Sequence, residues 1–354
     1  MKANKIALLL GIAAIALSAT TAQAQDRIKW KLHSAWGSSV PHLGTSGVRF
    51  AKTIERLSDG EFSITFHEPG ALVPDNEGFD ATSKGSIEAA WTTAGYDVGK
   101  YPALAFFTAV PFGPGYGEIF AWKKFGGGDE IQQEVYAKHN IHQIDCFAIG
   151  PETSGWFKNE VTDLEQLRGM KMRFFGLGAR VMQKLGVSTQ LLAGGDIFPA
   201  LEKGVIDATE FSMPAMDIKY GFYQIAKNNY FPGWHQQISI SQLLINKEKW
   251  DALPDRFKAM IEVACGDSIH HTYAETEAVN PTAMLEMGEK YGVKTQRWTD
   301  EQLGVFEKTW LEVLEEDAAK DELFKKVADS YLSFRKTYAK WGQAQALLPT
   351  YIKE

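Results

Sequence analysis

Met170, Met172 and Phe174 alternate with Lys171, Arg173 and Phe175, the period-2 pattern of a short strand. A Gly-Leu-Gly turn at 176–178 then hands over to a helix from Ala179 to Leu185. Arg173 therefore falls near the carboxyl end of a strand, which in an open α/β sheet is the edge where ligands bind. Its guanidinium offers a planar fork of donors that matches a carboxylate bidentately; a structural or surface arginine is the alternative. A second strand, Val205 to Phe211, ends in Glu210. Two strand ends thus offer opposite charges at what should be the same edge of one sheet.

Other constellations carry less. None of the eight histidines forms a His-Glu-x-x-His zinc pattern, and no Gly-x-Ser-x-Gly elbow is present. His139 and His142 read as a solvated helix end, and Ser212, two residues after Glu210, has no histidine at short range in sequence. Gly126-Gly127-Gly128 lacks the Lys-Ser/Thr of a phosphate loop, and Gly176-Leu177-Gly178 lacks the third glycine and distal acid of a dinucleotide fingerprint. Nucleotide chemistry is not indicated.

The elements that must position Arg173 and Glu210 follow from the pattern. A chain of 354 residues exceeds the size at which one core stops growing, so two lobes are expected. Strands at Ile28–Trp36, Phe62–Phe66 and Ile87–Trp91 alternate with helices at Thr45–Leu57 and from Pro74 to Gly85, a β-α-β-α-β rhythm that predicts a parallel α/β sheet. The prolines and glycines of 102–128 are punctuation. A strand from Ile144 to Gly150 and a polar strand at Gly155–Lys158 precede the Arg173 strand, and a helix capped by Asp196 follows it. Asn228–Trp234 reads as a crossing loop and Ile238–Asn246 as a strand running back into the first lobe. Helices are expected at Pro254–Ile269, His270–Tyr291, Asp300–Asp317 and Asp321 to about Leu347.

Residues 1–24 stand apart. Lys2 and Lys5, the apolar run Ile6–Leu17 and Ala22-Gln23-Ala24 have the form of a cleaved secretory signal, which implies a periplasmic protein. Its removal leaves 35 basic against 44 acidic residues, a formal charge of −9. Such a chain, without a basic tract, argues against nucleic acid as partner but not against an anionic ligand held by one buried arginine. Cys146 and Cys265 both lie in apolar contexts and are expected as buried free thiols, although an oxidising compartment permits a disulfide.

Three blocks then carry a resemblance: Gly169-Met-Lys-Met-Arg173, Ala200-Leu-Glu-Lys-Gly-Val-Ile-Asp-Ala-Thr-Glu210, and the Tyr-Phe-Pro-Gly-Trp loop ending at Trp234. Over essentially the whole mature chain the sequence resembles the solute-binding receptors of TRAP (tripartite ATP-independent periplasmic) transporters. Tyr96, the run Lys100–Gly113 and the Arg-Phe-Phe-Gly-Leu-Gly block are similar to the branch that binds 2-oxo and 2-hydroxy monocarboxylates with a metal ion. The resemblance implies a two-lobed α/β fold with crossing strands, a hinged cleft and a long C-terminal helix. It implies lobe I from 25–149 plus about 238–280, lobe II from 150–237 plus about 281–320, and a membrane permease as partner. It also implies that Arg173 salt-bridges the ligand carboxylate, and that Glu210, the backbone oxygen of Phe211 and the residue 21 before Arg173, here Glu152, contact a cation. The sodium-binding relatives carry an amide at that last position; the extra acid leaves the ion open between Na⁺ and Ca²⁺. Of Gln236 and Gln237 alternation lets one face the cleft, and Gln236 is assigned.

Trp36, Tyr96, Phe175 and Trp234 are expected on or beside cleft loops that close over ligand. A secreted metal-dependent enzyme acting on an oxo acid, with Glu152 or Glu210 as base, is the competing reading. Finally, Phe324, Val327, Tyr331, Phe334, Tyr338 and Trp341 recur at intervals of 3 and 4 along residues 321–354, an a/d stripe expected to dimerise the protein or to pack on its own lobe.

Overall fold

The structure is a computed structural model and describes residues 27–347; the signal at 1–24 and the last seven residues lie outside the described residues. The first half runs β1 (Ile28–Ser34), α1 (Gly44–Leu57), β2 (Phe62–His67), α2 (Gly78–Ser83), β3 (Ala89–Thr92), α3 (Tyr116–Phe125), α4 (Gly128–Ala137) and β4 (Ile141–Ile149). The middle runs β5 (Gly155–Phe157), β6 (Lys171–Arg173), α5 (Gly176–Lys184), β7 (Ser188–Gln190), α6 (Gly194–Glu202), β8 (Ala208–Thr209), α7 (Pro214–Tyr220) and β9 (Asn228–Phe231). Then come β10 (Ser239–Asn246), α8 (Lys247–Asp251), α9 (Asp255–Glu289), β11 (Lys294–Arg297), α10 (Asp300–Ala318) and α11 (Glu322–Gln345).

Two mixed sheets result. The first has the order β2-β1-β3-β10-β4 and the second β11-β9-β5-β8-β6-β7. The expected parallel core is present as β2-β1-β3, and β10, buried along its whole length, returns to that sheet antiparallel to both β3 and β4. The chain therefore crosses between sheets on either side of β10. One core packs α1 and α9 against the first sheet through Trp30, Phe50, Trp91, Phe147 and Phe257. Trp91 stacks on Phe147 with ring centroids 4.5 Å apart, a contact worth more than area burial alone.

Several local expectations are corrected. Asn228–Phe231 is a strand rather than a crossing loop, followed by a cis Phe231–Pro232 bond. The two helices expected over 254–291 are one helix of 35 residues, Asp255–Glu289, and both Gly266 and Pro281 lie inside it without ending it. Ala193, not Asp196, occupies the N-cap of α6, and Asp196 sits in its first turn, where a carboxylate still suits the helix dipole. His142 lies within β4 and stacks on Trp250 at 4.0 Å; burial pushes its imidazole down to about 4. Cys146 and Cys265 are joined as a disulfide linking β4 to α9, so neither is a free thiol.

The C-terminal helix splits its apolar stripe. Phe324, Val327 and Tyr331 are buried against the molecule's own first half, where Phe106 meets both Phe324 and Tyr331 and Trp122 meets Tyr331 edge-on. Further along, Phe334 and Tyr338 are half-buried and Trp341 is 60% exposed.

Candidate functional site

Strand pairing assembles the site at one edge of the second sheet. β6 and β8 run parallel with Arg173 opposite Thr209, which brings Glu210 beside Arg173 as the chain leaves β8. The Glu210 amide donates to the Arg173 carbonyl at 2.9 Å. β5 is antiparallel to β8, so its amino end, preceded by Glu152, reaches the same edge. β9 is antiparallel to β5, with Gly155 opposite Tyr230, and delivers the Pro232–Gln236 segment next to Glu152. Here Gly233 is required by close approach: a Cβ on it would lie 2.1 Å from the Glu152 carbonyl oxygen. The Glu152 amide in turn donates to the Gln236 carbonyl at 3.2 Å.

Arg173 is 1% exposed. Its Nη1 donates to the Glu210 carbonyl at 2.7 Å and to Glu210 Oε2 at 3.1 Å, and its Nε donates to the Leu192 carbonyl at 3.3 Å. Nη2 has no hydrogen-bond partner among the described residues, while the side chain lines a cavity of about 30 Å³ together with Trp36, Tyr96, Glu152, Phe211 and Gln236. The rings of Phe211 and Phe175 lie 5.1 and 5.9 Å from the guanidinium carbon. Tyr96, in a short 3₁₀ turn, accepts from Trp36 Nε1 at 3.1 Å; burial pushes its phenol up to about 12 against the pull of Arg173, so it stays neutral.

Two acids and a histidine complete the site. Glu210 Oε2 also accepts the Phe175 amide at 3.0 Å, and Glu152 Oε1 accepts from Ser212 Oγ at 3.0 Å. Their other oxygens, Glu210 Oε1 and Glu152 Oε2, are buried without hydrogen-bond partners, as are both ring nitrogens of His235 and Gln236 Oε1. His235 Nε2 stands 3.6 Å from Glu210 and 3.8 Å from Glu152, beyond hydrogen-bond length. Burial raises the Glu152 carboxyl, and the neighbouring Glu210 reinforces this. Burial would raise Glu210 too, but Arg173 foremost and then His235 hold it below the usual carboxylate range. Burial alone would lower His235, yet the two carboxylates push it up.

A cation fits these residues. Ligand atoms of Glu152, Glu210 and His235 lie within 4.8 Å of one another, the only such group of three found among the described residues. Two buried carboxylate oxygens without partners are what a hard cation would satisfy, whereas imidazole is a softer ligand.

Arg173, Glu152, Glu210, Tyr96, Phe211 and Gln236 are thus brought together. Gln237 turns away, donating to the Gly233 carbonyl at 2.8 Å. Trp234 lies on the segment beside the site, but its ring faces the core and stacks on Phe306 at 4.7 Å. His235 was not anticipated; the signal available was its place one residue after the Pro-Gly-Trp turn.

A two-sheet α/β fold with crossing strands and a buried arginine at the edge of the cleft defines a solute-binding protein. The chain belongs to the bacterial extracellular solute-binding proteins, family 7, whose pattern it matches over residues 33–321. It is 34% identical over 321 residues to a monocarboxylate 2-oxoacid-binding periplasmic protein of Nostoc sp. PCC 7120, covering 90% of this chain and 87% of that one. A TRAP transporter solute-binding protein from Bordetella bronchiseptica RB50, described as a mixed-occupancy dimer with copurified calcium and picolinate, superposes with TM-score 0.87 at 32% identity over 90% of this chain and 94% of that one. Another, from Pseudoalteromonas atlantica T6c with bound sodium and pyruvate, gives TM-score 0.87 at 28% identity over 90% of this chain and 97% of that one.

Proposed function

We propose that this protein is the extracytoplasmic receptor of a TRAP transporter. It captures a small 2-oxo or 2-hydroxy monocarboxylate, such as pyruvate, lactate or a longer 2-oxo acid, together with one hard cation, Na⁺ or Ca²⁺. It then delivers the acid to the membrane permease. The observation that carries the reading is the pairing of buried Arg173, one guanidinium nitrogen free beside the cavity, with two buried carboxylates whose remaining oxygens lack partners. The ligands of the Nostoc, Bordetella and Pseudoalteromonas proteins support it.

Arg173 takes the ligand carboxylate, flanked by Tyr96 and Gln236. Glu152, Glu210 and the Phe211 carbonyl hold the ion, with His235 as a charged neighbour. A bound cation would neutralise the two acids and offer a hard positive face to a ligand oxygen. In this reading lobe I is 25–149 with about 238–280 and lobe II is 150–237 with about 281–320, as the family resemblance implies, and the two close on the acid without transforming it. The form of residues 1–24 supports a periplasmic location. Native mass spectrometry of the protein as purified should reveal a retained acid and ion, and calorimetry with pyruvate should give stoichiometric heat without product. Turnover of pyruvate would overturn the receptor reading.

The protein is further proposed to form a homodimer through residues 321–354. Support comes from the exposed distal end of α11 and the dimer described for the Bordetella structure. Light scattering at tens of micromolar should give twice the monomer mass, falling to the monomer in Tyr338→Lys/Trp341→Lys, which spares the buried half of the helix. A monomeric wild type would end the proposal.

A further inference from the structure

A second, larger space adjoins the binding cavity. It is a groove of about 440 Å³ between the 95–102 segment and α5, with Val98, Pro102, Leu177 and Leu191 among the residues that line it. An Arg180–Asp317 ion pair with a 2.8 Å contact stands among its lining residues. Tyr96 lines both spaces. Phe175 lines the inner cavity, and its chain neighbours Phe174 and Gly176 line the groove. The Phe175 ring presses so closely on Gly95 that a Cβ there would lie 1.9 Å from its tip, and it meets Tyr96 edge-on with centroids 5.8 Å apart. The contact of Phe175 with Gly95 and Tyr96 is therefore the wall between the Arg173 cavity of about 30 Å³ and a more apolar groove.

We infer that the groove is a subsite for the aliphatic tail of a longer 2-oxo monocarboxylate, and that the Phe175 side chain is the gate that sets how long a tail the receptor accepts. This rests on the carboxylate-receptor reading above. With the acid's carboxylate on Arg173, Phe175 and Tyr96 line the cavity on the side next to the groove, and a longer tail directed that way meets the Phe175 ring. A phenylalanine turns about two side-chain bonds, so the wall opens without backbone rearrangement. The groove then offers apolar surface that water covers poorly. No hydrogen bond is broken when the ring moves, since the backbone amide of Phe175 and not its side chain holds Glu210 Oε2; the ring gives up only its 5.9 Å contact with the Arg173 guanidinium.

The test is a chain-length series by calorimetry on the full-length protein, with pyruvate and 2-oxohexanoate as probes. Each buried methylene is worth about fourfold in affinity, so the three additional methylenes of 2-oxohexanoate set a ceiling of roughly 60-fold. In Phe175→Ala the affinity ratio of 2-oxohexanoate to pyruvate should rise at least tenfold over wild type, and in Phe175→Leu by an intermediate factor; the leucine variant serves if the alanine variant fails to fold. Adding Leu191→Trp to either variant should bring the ratio back down, because it fills the groove rather than the cavity. A ratio unchanged within threefold in both variants, with pyruvate still bound, would overturn the gate. A rise that Leu191→Trp does not reverse would overturn the groove as the tail's location. If wild type binds neither acid, the receptor reading itself fails and the inference falls with it.

Discussion

Replacing Arg173 tests its proposed role as carboxylate clamp separately from its contact with Glu210, because the guanidinium is shared between Glu210 and the cavity. Nη1 is committed to Glu210 through contacts of 2.7 and 3.1 Å, and Nη2 is free for a ligand. In Arg173→Ala the fully buried Glu210 loses its counter-charge, a change that costs about 3–5 kcal/mol of stability when one partner of a buried pair is removed. The Phe175 amide and proton uptake by Glu210 offset part of that. Ligand binding loses a charge-assisted hydrogen bond of about 1.5–3 kcal/mol, one to two decades in Kd. If Glu210 stays ionised it also repels the incoming carboxylate, at roughly 4 kcal/mol for charges about 4 Å apart in a medium of effective dielectric constant near 20. About one to two decades of affinity are therefore lost if Glu210 takes up a proton, and about four to five if it stays ionised.

Arg173→Lys splits the effects: a point-charge ammonium can serve Glu210 or the ligand but lacks the fork to serve both. It should keep most of the thermal stability and still lose at least a decade in Kd. Calorimetry with pyruvate, on protein shown to be folded by circular dichroism, reads the outcome. Binding within threefold of wild type in either variant would refute the assignment of Arg173 as carboxylate clamp.

Three further outcomes are expected. Asp97 is 4% exposed, and burial, only partly offset by Lys100, pushes its carboxyl up to about 7. Between about pH 4 and 7 the folded state then holds a proton that the unfolded chain has released, so this group's contribution to stability falls as pH rises through that window. Asp97→Asn should accordingly gain on wild type by up to roughly 4 kcal/mol at pH 8 and by little at pH 4, read by urea unfolding; equal differences at both values would refute this. The disulfide spans 119 residues of sequence, so Cys265→Ala should lower stability by roughly 4–5 kcal/mol on the chain-entropy account, and thiol titration of the unreduced protein should find no free cysteine. Because burial and Glu210 raise Glu152, while the acids hold a proton on His235, cation binding should release protons and weaken as pH falls below neutral. Calorimetry of Ca²⁺ binding in buffers of different ionisation enthalpy measures that release, and proton uptake would contradict it.

What could be read from the sequence follows from which contacts are local. The meeting of Arg173 and Glu210 was legible because Arg173 ends β6 and Glu210 directly follows β8, and strands that run parallel in one sheet bring such ends to a common edge. Tyr96 and Gln236 needed the family resemblance, since neither a loop tyrosine nor one of two adjacent glutamines reveals a direction by itself. His235 escaped because its position depends on β9, and the Asn-Asn start of β9 has poor strand propensity. Its placement comes from pairing with β5 and from the Gly233 approach to Glu152, both tertiary facts. The disulfide was equally hidden: its cysteines lie far apart in sequence, and only the seating of α9 on β4 brings them together.

The C-terminal helix shows a different limit. A 3-4 spacing of large apolar residues establishes that a face is covered, not by what, because the same stripe suits a helix partner, a second copy or the chain's own core. In this fold the stripe divides by neighbours rather than by residue type. Phe324 and Tyr331 find Phe106 and Trp122, which Pro102–Phe107 and α3 present at that end of the helix. Beyond Tyr331 the support thins: Phe334 still packs against Gly126, and Arg335 reaches back to Glu118 at 3.0 Å and to the Phe112 carbonyl at 3.0 Å. That pair of contacts marks the far end of the anchoring to the first half, past which Tyr338 is half-buried and Trp341 stands exposed.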